Sequence, residues 1–406
     1  MAIESLFGVL PDHWETTTLG DICQRGGGFI QTGPFGSQLH AADYVEAGIP
    51  TIMPKNIGEN KVIEDGISRI TQKDAERLSK YRVKSGDIVY SRRGDVTLRA
   101  LIREHQNGWL CGTGSLMVRL GKGIVDPRFV SYYLSDPSIR EWIQRHAVGA
   151  TMPNLNTSIM GAVPFIHPPL SEQRAIAGIL GALDDKIELN RRMNRTLESM
   201  ARAVFRQWFV ESNAVESWKV GKLGDVAENI RCSANAEDIE PETHYIGLEH
   251  MPRGSIALSE WGNASELASN KFIFKEGEFL FGKLRPYFHK VGIAPIDGVC
   301  STDILVIAPK SPDWYGFVLG HISSVELINH TNAASTGTKM PRTSWSDIAN
   351  YEVAIPPVKM AKEFSEMFLP MAQQIRANIM QSHMLASLRD TLLPRLMRGE
   401  VRVKDV

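Results

Sequence analysis

The side chains best placed for chemistry in this 406-residue chain are basic groups and carboxamides at the ends of apolar runs. Residues 80–103 hold seven basic groups (Lys80, Arg82, Lys84, Arg92, Arg93, Arg99, Arg103) against two acids, Asp87 and Asp95. Within that run Arg92-Arg93-Gly94 directly follows the strand-like Ile88-Val89-Tyr90, a position that offers a guanidinium to a phosphate or a guanine edge. Lys283, Arg285, Tyr287, His289 and Lys290 take the corresponding place after Phe279-Leu280-Phe281. A second group precedes two Pro-Pro pairs: Thr151, Asn154 and Asn156 in one loop, Thr338, Lys339, Arg342 and Thr343 in the other. Asn can bond adenine bidentately and Arg can do the same with guanine, so Asn154 against Arg342 is what two readers of different sequences would carry. A third group, Gln31, Thr32, Ser37 and Gln38 with Lys55 and Asn56, sits in Gly-Pro-punctuated loops. Groups of these types at these places could meet a phosphate backbone or base edges, with a solvated charged edge or a structural turn as the plainer alternative.

Catalytic patterns are missing. Neither His167-Pro-Pro-Leu170 nor Ile355-Pro-Pro-Val358 has the polar residue and aromatic with which an adenine methyltransferase grips a flipped base. Gly121-Lys122-Gly123 lacks the spacing and hydroxyl of a phosphate loop. Glu59-Asn60-Lys61 has a nuclease-like spacing without a suitable upstream acid, and Gly26-Gly27-Gly28 reads as a mobile loop. The four cysteines are scattered with no C-x-x-C pair, which argues against zinc and disulfides. No catalytic residue and no metal site are expected. Net charge is −1, so any positive field must be local or supplied by partners. No apolar run spans a bilayer and the N-terminus has no export pattern, which points to a cytoplasmic setting.

The elements that position these groups come in duplicate. Trp14-x4-Leu19-Gly20-Asp21 returns 204 residues later as Trp218-x4-Leu223-Gly224-Asp225. Cys111-Gly-Thr113 returns 189 residues later at Cys300-Ser-Thr302, and Met152-Pro153 returns 188 later at Met340-Pro341. Each half reads as α+β: short strands, a helical stretch (129–145 and 314–330), the Met-Pro loop, then Pro-Pro. A long helix follows each pair, with Ser171 as N-cap of the first. Ile176, Leu180, Leu183, Ile187, Asn190, Asn194, Leu197, Ala201, Val204 and Trp208 form one coiled-coil seam; Phe364, Phe368, Met371, Ile375, Asn378, Ser382, Leu385, Arg389, Leu392 and Leu396 form the other. Asn190 and Asn378 are placed to fix register. About 40 residues at ~1.5 Å each make rods of roughly 60 Å. Pro370 and Pro394 should kink or interrupt the second. Arg191, Arg192 and Arg195, off the seam, either pair with Asp184, Asp185 and Glu188 or face a partner.

Trp-x4-Leu-Gly-Asp, Ile166-x-Pro-Pro-Leu-Ser-Glu-Gln-Arg-Ala-Ile176, Ile355-Pro-Pro and the tail Leu392-Leu-Pro-Arg-Leu-Met-Arg-Gly-Glu400, in this order, resemble the specificity subunits of type I restriction–modification enzymes. The resemblance implies two target-recognition domains (1–170 and 212–357) in pseudo-twofold arrangement, separated by two long antiparallel spacer helices (171–211 and 358–400) with a tail to 406. Each domain would read half of a split double-stranded DNA target. Two adenine-N6 methyltransferase subunits would bind the helices, and restriction–translocation subunits would join them. S-adenosylmethionine, ATP and Mg would belong to those partners, none to this chain. Val358-Lys-Met-Ala-Lys-Glu363 departs from Leu-Ser-Glu-Gln-Arg, which sets the second helix apart. A twofold reader suits half-sites about one helical turn, roughly 34 Å, apart. A free-standing DNA-binding regulator is the alternative, though it should carry a recognition helix and a more basic surface.

Overall fold

The computed structural model describes residues 10–149, 152–265, 267, 269–335 and 340–403. Contacts divide the chain into two units, residues 1–185 with 386–406, and residues 186–385. Both long helices pass from one unit to the other.

The centre of the first unit is an antiparallel sheet ordered Phe29–Thr32, Ser115–Arg119, Ile88–Ser91, Arg99–Leu101. Side chains alternate between its faces, and both faces are covered. Ile88, Tyr90, Leu116 and Val118 pack with Phe129, Tyr133, Ile139 and Phe165, whereas Val89, Ala100 and Met117 pack with Ile52 and Cys111 of a second sheet. That second sheet runs Tyr44–Val45, Arg69–Ile70, Ile49–Ile52, Leu110–Cys111. Two-sided burial explains why Leu116-Met117-Val118 is continuously apolar. Glu15–Thr18 pairs antiparallel with Pro164–His167 and closes the unit just before the first long helix.

The second unit repeats this plan. Its central sheet is Ala227–Ile230, Ile304–Pro309, Phe279–Gly282, Val291–Ile293, backed by a five-stranded sheet, with Lys219–Lys222 against Glu352–Ile355 as the closing pair. Phe279, Phe281 and Ile307 face the helices, while Leu280, Ile304 and Val306 face the second sheet. The expected α+β halves are therefore present. Each expected helical stretch is two helices rather than one. Pro137–His146 restarts behind Asp136, whose carboxylate caps Ser138 N, and Val325–Ala334 restarts behind Ser324, whose hydroxyl caps Leu327 N.

The long helices are Leu170–Phe209 and Val358–Met397. Ser171 lies inside the first turn, not at the cap. Neither Pro370 nor Pro394 interrupts the second helix. At Pro370 the carbonyl freed by the missing N–H belongs to Glu366, which is exposed and open to water. Within the second unit the helices run antiparallel: Asn190 meets Asn378 and Ser382, Asn194 meets Ile375, and Phe205 packs on Phe364. Here the seam drifts from Val204 and Trp208 to Phe205 and Phe209, as a 3.6-residue turn must against a seven-residue repeat. Within the first unit Ile176 and Leu180 share a core with Leu393 and Leu396, and Asp184 pairs with Arg389 at 2.6 Å. Glu188 pairs with Arg191 and Arg195 along its own helix. Gly26-Gly27-Gly28 is no free loop: a Cβ on Gly28 would stand 1.9 Å from the Arg119 oxygen, so glycine permits close backbone packing there. Among the described residues no helix is long and apolar enough to cross a membrane.

Candidate nucleic-acid interface

In the first unit four distant segments converge on the turn 112–115. Gly33 N donates to Ser115 O and Arg92 N to Gly114 O, each at 2.9 Å. Ile52 O, just before the turn at Pro54–Asn56, accepts from Gly112 N at 2.9 Å and from the Ser115 hydroxyl at 3.0 Å. Arg92 carries the connection to the Met-Pro loop: Leu155 N donates to Arg92 O at 3.0 Å, and Arg92 Nε donates to Leu155 O at 2.8 Å. Loop 31–38, the turn at Lys55, the strand exit at Arg93 and the loop at Asn154 thus share one neighbourhood. Arg93 is exposed, with its carbonyl accepting from Ser91 Oγ at 2.8 Å, and its backbone bridges Asn154. The Asn154 Oδ1 atom is buried and has no partner among the described residues. Ser37 and Lys55 are exposed.

The second unit uses the same frame with different groups. Lys283 N donates to Asp303 O at 2.8 Å, as Arg92 does to Gly114, and Thr343 N donates to Lys283 O at 3.1 Å, as Leu155 does to Arg92. Leu284 bridges Arg342 as Arg93 bridges Asn154. Arg342 therefore occupies the place that Asn154 holds in the first unit. Its exposed guanidinium lies 3.3 Å from Asp303. Burial holds the Lys283 ammonium below its ordinary range; Asp303 opposes this, and the nearby Arg342 and Arg231 reinforce it. Lys283 with Arg342 and Arg231 near it, against the single carboxylate of Asp303, gives a local positive patch on a chain whose net charge is −1. Positive charge of this kind attracts phosphate.

The loop after Lys283 is stiff. Arg285 and His289 adopt left-handed backbone, φ 51° and 50°, on either side of Pro286–Phe288. Each such residue costs about 1 kcal/mol or more and persists only where surroundings over-determine it. Here Arg285 N donates to Pro341 O at 2.8 Å, His289 Nε2 meets Ser323 O at 2.9 Å, and the Arg253 guanidinium lies over the Phe288 ring at 4.0 Å. Tyr287 is left at the tip, 49% exposed.

Several expected DNA contacts are instead internal. Arg99 is 1% exposed; Nε donates to Ser131 O at 2.7 Å, and Glu59 stands 3.7 Å from its NH1 atom. Burial lowers its pKa, so a polar lining is needed simply to hold it. Asn56, 1% exposed, accepts from Met53 N and donates to Ile63 O. Thr343 is buried against Asp347, and Asn156 is an N-cap accepting from Ile159 N at 2.8 Å. Gln38 accepts from Phe35 N and Tyr81 Oη, Lys290 Nζ donates to Leu248 O, and Arg92 is committed to Leu155. His289 is engaged with the Ser323 carbonyl. Gln31 and Thr32 are half-buried at the end of strand Phe29–Thr32. Thr151, Thr338 and Lys339 lie outside the described residues. The basic run 80–103 does not form one face, since Arg82 bonds Gly108 O and Arg99 is interior.

Arg231 and Arg253 escaped sequence reasoning. The strand register identifies Arg231: Ile230 pairs with Val306 as Gln31 pairs with Met117, which makes Arg231 the counterpart of Thr32. Arg253 had no local signal, because only folding brings it over Phe288.

The chain resembles known proteins over almost all its length. A family profile described as the type I restriction modification DNA specificity domain matches residues 11–199. The chain is 24% identical over 433 residues to the type I restriction enzyme MjaIX specificity subunit of Methanocaldococcus jannaschii, covering 99% of this chain and 97% of that protein. It is 29% identical over 443 residues to the HindI specificity subunit of Haemophilus influenzae, covering 87% of this chain and 95% of that one. Among solved structures, the S subunit of a type I restriction–modification system from M. genitalium matches with a TM-score of 0.58 at 15% identity, covering 96% of each chain. At that identity the structural likeness speaks for the fold.

Proposed function

We propose that the chain, like the proteins it resembles, is a specificity subunit of a type I restriction–modification system that reads a two-part DNA sequence and directs partner subunits to it. Each unit reads one half of an asymmetric, split target. One observation carries this reading: hydrogen bonds from Leu155 to Arg92 and from Thr343 to Lys283 build the same frame twice, and Asn154 and Arg342 occupy one position in it. A repeated frame with unlike polar groups suits two half-sites of unlike sequence.

The chain itself is non-catalytic in this proposal. Two methyltransferase copies seated on the long helices supply adenine-N6 methylation with S-adenosylmethionine. Restriction subunits supply cleavage and translocation with ATP and magnesium. The exposed Arg93, Lys55, Arg231 and Arg342 contact phosphates or base edges, and the half-buried Arg92 and the buried Arg99 help to hold the segments that carry them.

Mapping methylated adenines in DNA from cells carrying this chain and its methyltransferase tests the proposal. The expected pattern is two short sequences separated by a fixed unread gap, with Arg342 variants altering one of them only. An uninterrupted motif, or one substitution that changes both parts, would refute it.

A further inference from the structure

Phe35 presents a phenyl ring to solvent from a turn built not to yield. It is 59% exposed, the most exposed aromatic side chain among the described residues. The turn beneath it is fixed from four directions. Gly33 packs so closely on the 112–115 turn that a Cβ would stand 2.0 Å from the Gly112 oxygen. Pro34 restricts φ. Gln38 N donates to Phe35 O at 2.8 Å, while Gln38 Oε1 accepts from Phe35 N at 3.2 Å. Gln38 is in turn held by Tyr81 Oη at 2.8 Å and by Arg77 at 2.9 Å. A ring needed only for packing would fold inward; this one is held out at the cost of its own burial.

Its neighbourhood indicates the occupant. Through Gly33 the turn joins the 112–115 segment to which Arg92, and so Arg93 and Asn154, are also attached. Ser37 beside the ring is exposed, as is Lys55 on the turn after Ile52. An apolar plate among hydroxyl, carboxamide and cationic groups matches a base stack bordered by phosphates. We infer that Phe35 packs against a base step of the half-site read by the first unit, as a stacking plate or a wedge. The inference rests on the DNA-reading proposal. Tyr287, 49% exposed on the rigid loop of the second unit, offers that unit an aromatic by a different route.

The test uses the full chain assembled with its methyltransferase subunits and a duplex bearing the mapped target. 2-Aminopurine is placed at successive positions of the first unit's half-site, and binding is measured across a salt series. With the wild type, fluorescence rises at one step. Phe35→Ala abolishes the rise and weakens binding roughly 10- to 100-fold, the range for loss of one base–aromatic stack. The salt slope stays unchanged, because no phosphate contact is lost. Phe35→Trp retains both signals, and Gln38→Ala, which keeps the ring but unpins its turn, reduces the fluorescence rise. Wild-type affinity and fluorescence in Phe35→Ala, while Arg93→Ala still weakens binding, would overturn the inference and leave the DNA-reading proposal standing. Equal losses in Phe35→Ala and Phe35→Trp with lowered melting temperatures would assign the ring a structural role and overturn it too. No sequence-dependent binding by the wild type would end both.

Discussion

Asn378 donates its side-chain amide to the Asn194 carboxamide oxygen at 2.8 Å, between the two long helices within the second unit. Asn194 donates on to Ile375 O, and Asn190 reaches Asn378 O, Gln381 and Ser382. These amides are nearly inaccessible to water, so any other register would leave them unpartnered.

Asn378→Leu should therefore cost about 1–3 kcal/mol, chiefly by stranding the Asn194 oxygen. Joint replacement of Asn194 and Asn378 by Leu should recover part of the loss, because both partners then become apolar. Denaturant midpoints of the single and double variants decide this. A double variant showing the full sum of two single losses would contradict it.

Arg93 and Arg99 lie six positions apart and should behave oppositely. Arg93→Ala should leave stability within about 0.5 kcal/mol while lowering the salt slope of DNA binding by about 1 if its contact is a phosphate. Arg99→Ala should destabilise the first unit by about 2–4 kcal/mol, since a cavity opens and Ser131 O loses its donor. Thermal melting and a salt titration run on both variants test the pair; a stable Arg99→Ala protein with a reduced salt slope would reverse the assignment.

Arg342→Asn should change the sequence preference of one half-site and leave the other as it was, with discrimination shifting by about 1–3 kcal/mol at one base pair. Asn154→Arg should do the same for the opposite half. Selection from randomised duplexes reads both outcomes at once. Unchanged preferences with uniformly weaker binding would demote these residues to phosphate contacts.

His321 sits against Phe205, Phe317 and Tyr351 with its Nε2 atom unpartnered among the described residues, and burial pushes its imidazole from the ordinary 6.5 down to about 3. A depressed folded-state pKa means its stabilising contribution is intact above pH 6.5 and is lost as pH falls from there toward 3. Acidification from pH 7.5 to 4.5 should cost the second unit about 2 kcal/mol through this group. In His321→Leu the acid-side decline should be shallower by that amount. Parallel pH profiles of the two proteins would refute it.

Much of the fold was legible because it is periodic or repeated. The Trp-x4-Leu-Gly-Asp and Met-Pro pairs marked the duplicated frame, and the heptad spacing marked both long helices. Met-Pro loops and strand exits were recognised as separate candidates, but their union through Arg92–Leu155 and Lys283–Thr343 came only with the fold. Asn56, Arg99, Gln38 and Lys290 show the limit. A polar residue in a loop looks alike in sequence whether it faces water or caps a neighbouring backbone.

By itself the sequence determined that this protein has two like α+β halves and two long helices, because spacing constrains backbone geometry locally and survives in one dimension. The tertiary structure decided which arginine is a surface probe and which an interior strut, and which aromatic stays outside. Those choices depend on donors and carbonyls brought together across tens of residues, such as Arg99 with Ser131 and Gly33 with Ser115. No local pattern encodes a partner that only chain folding supplies.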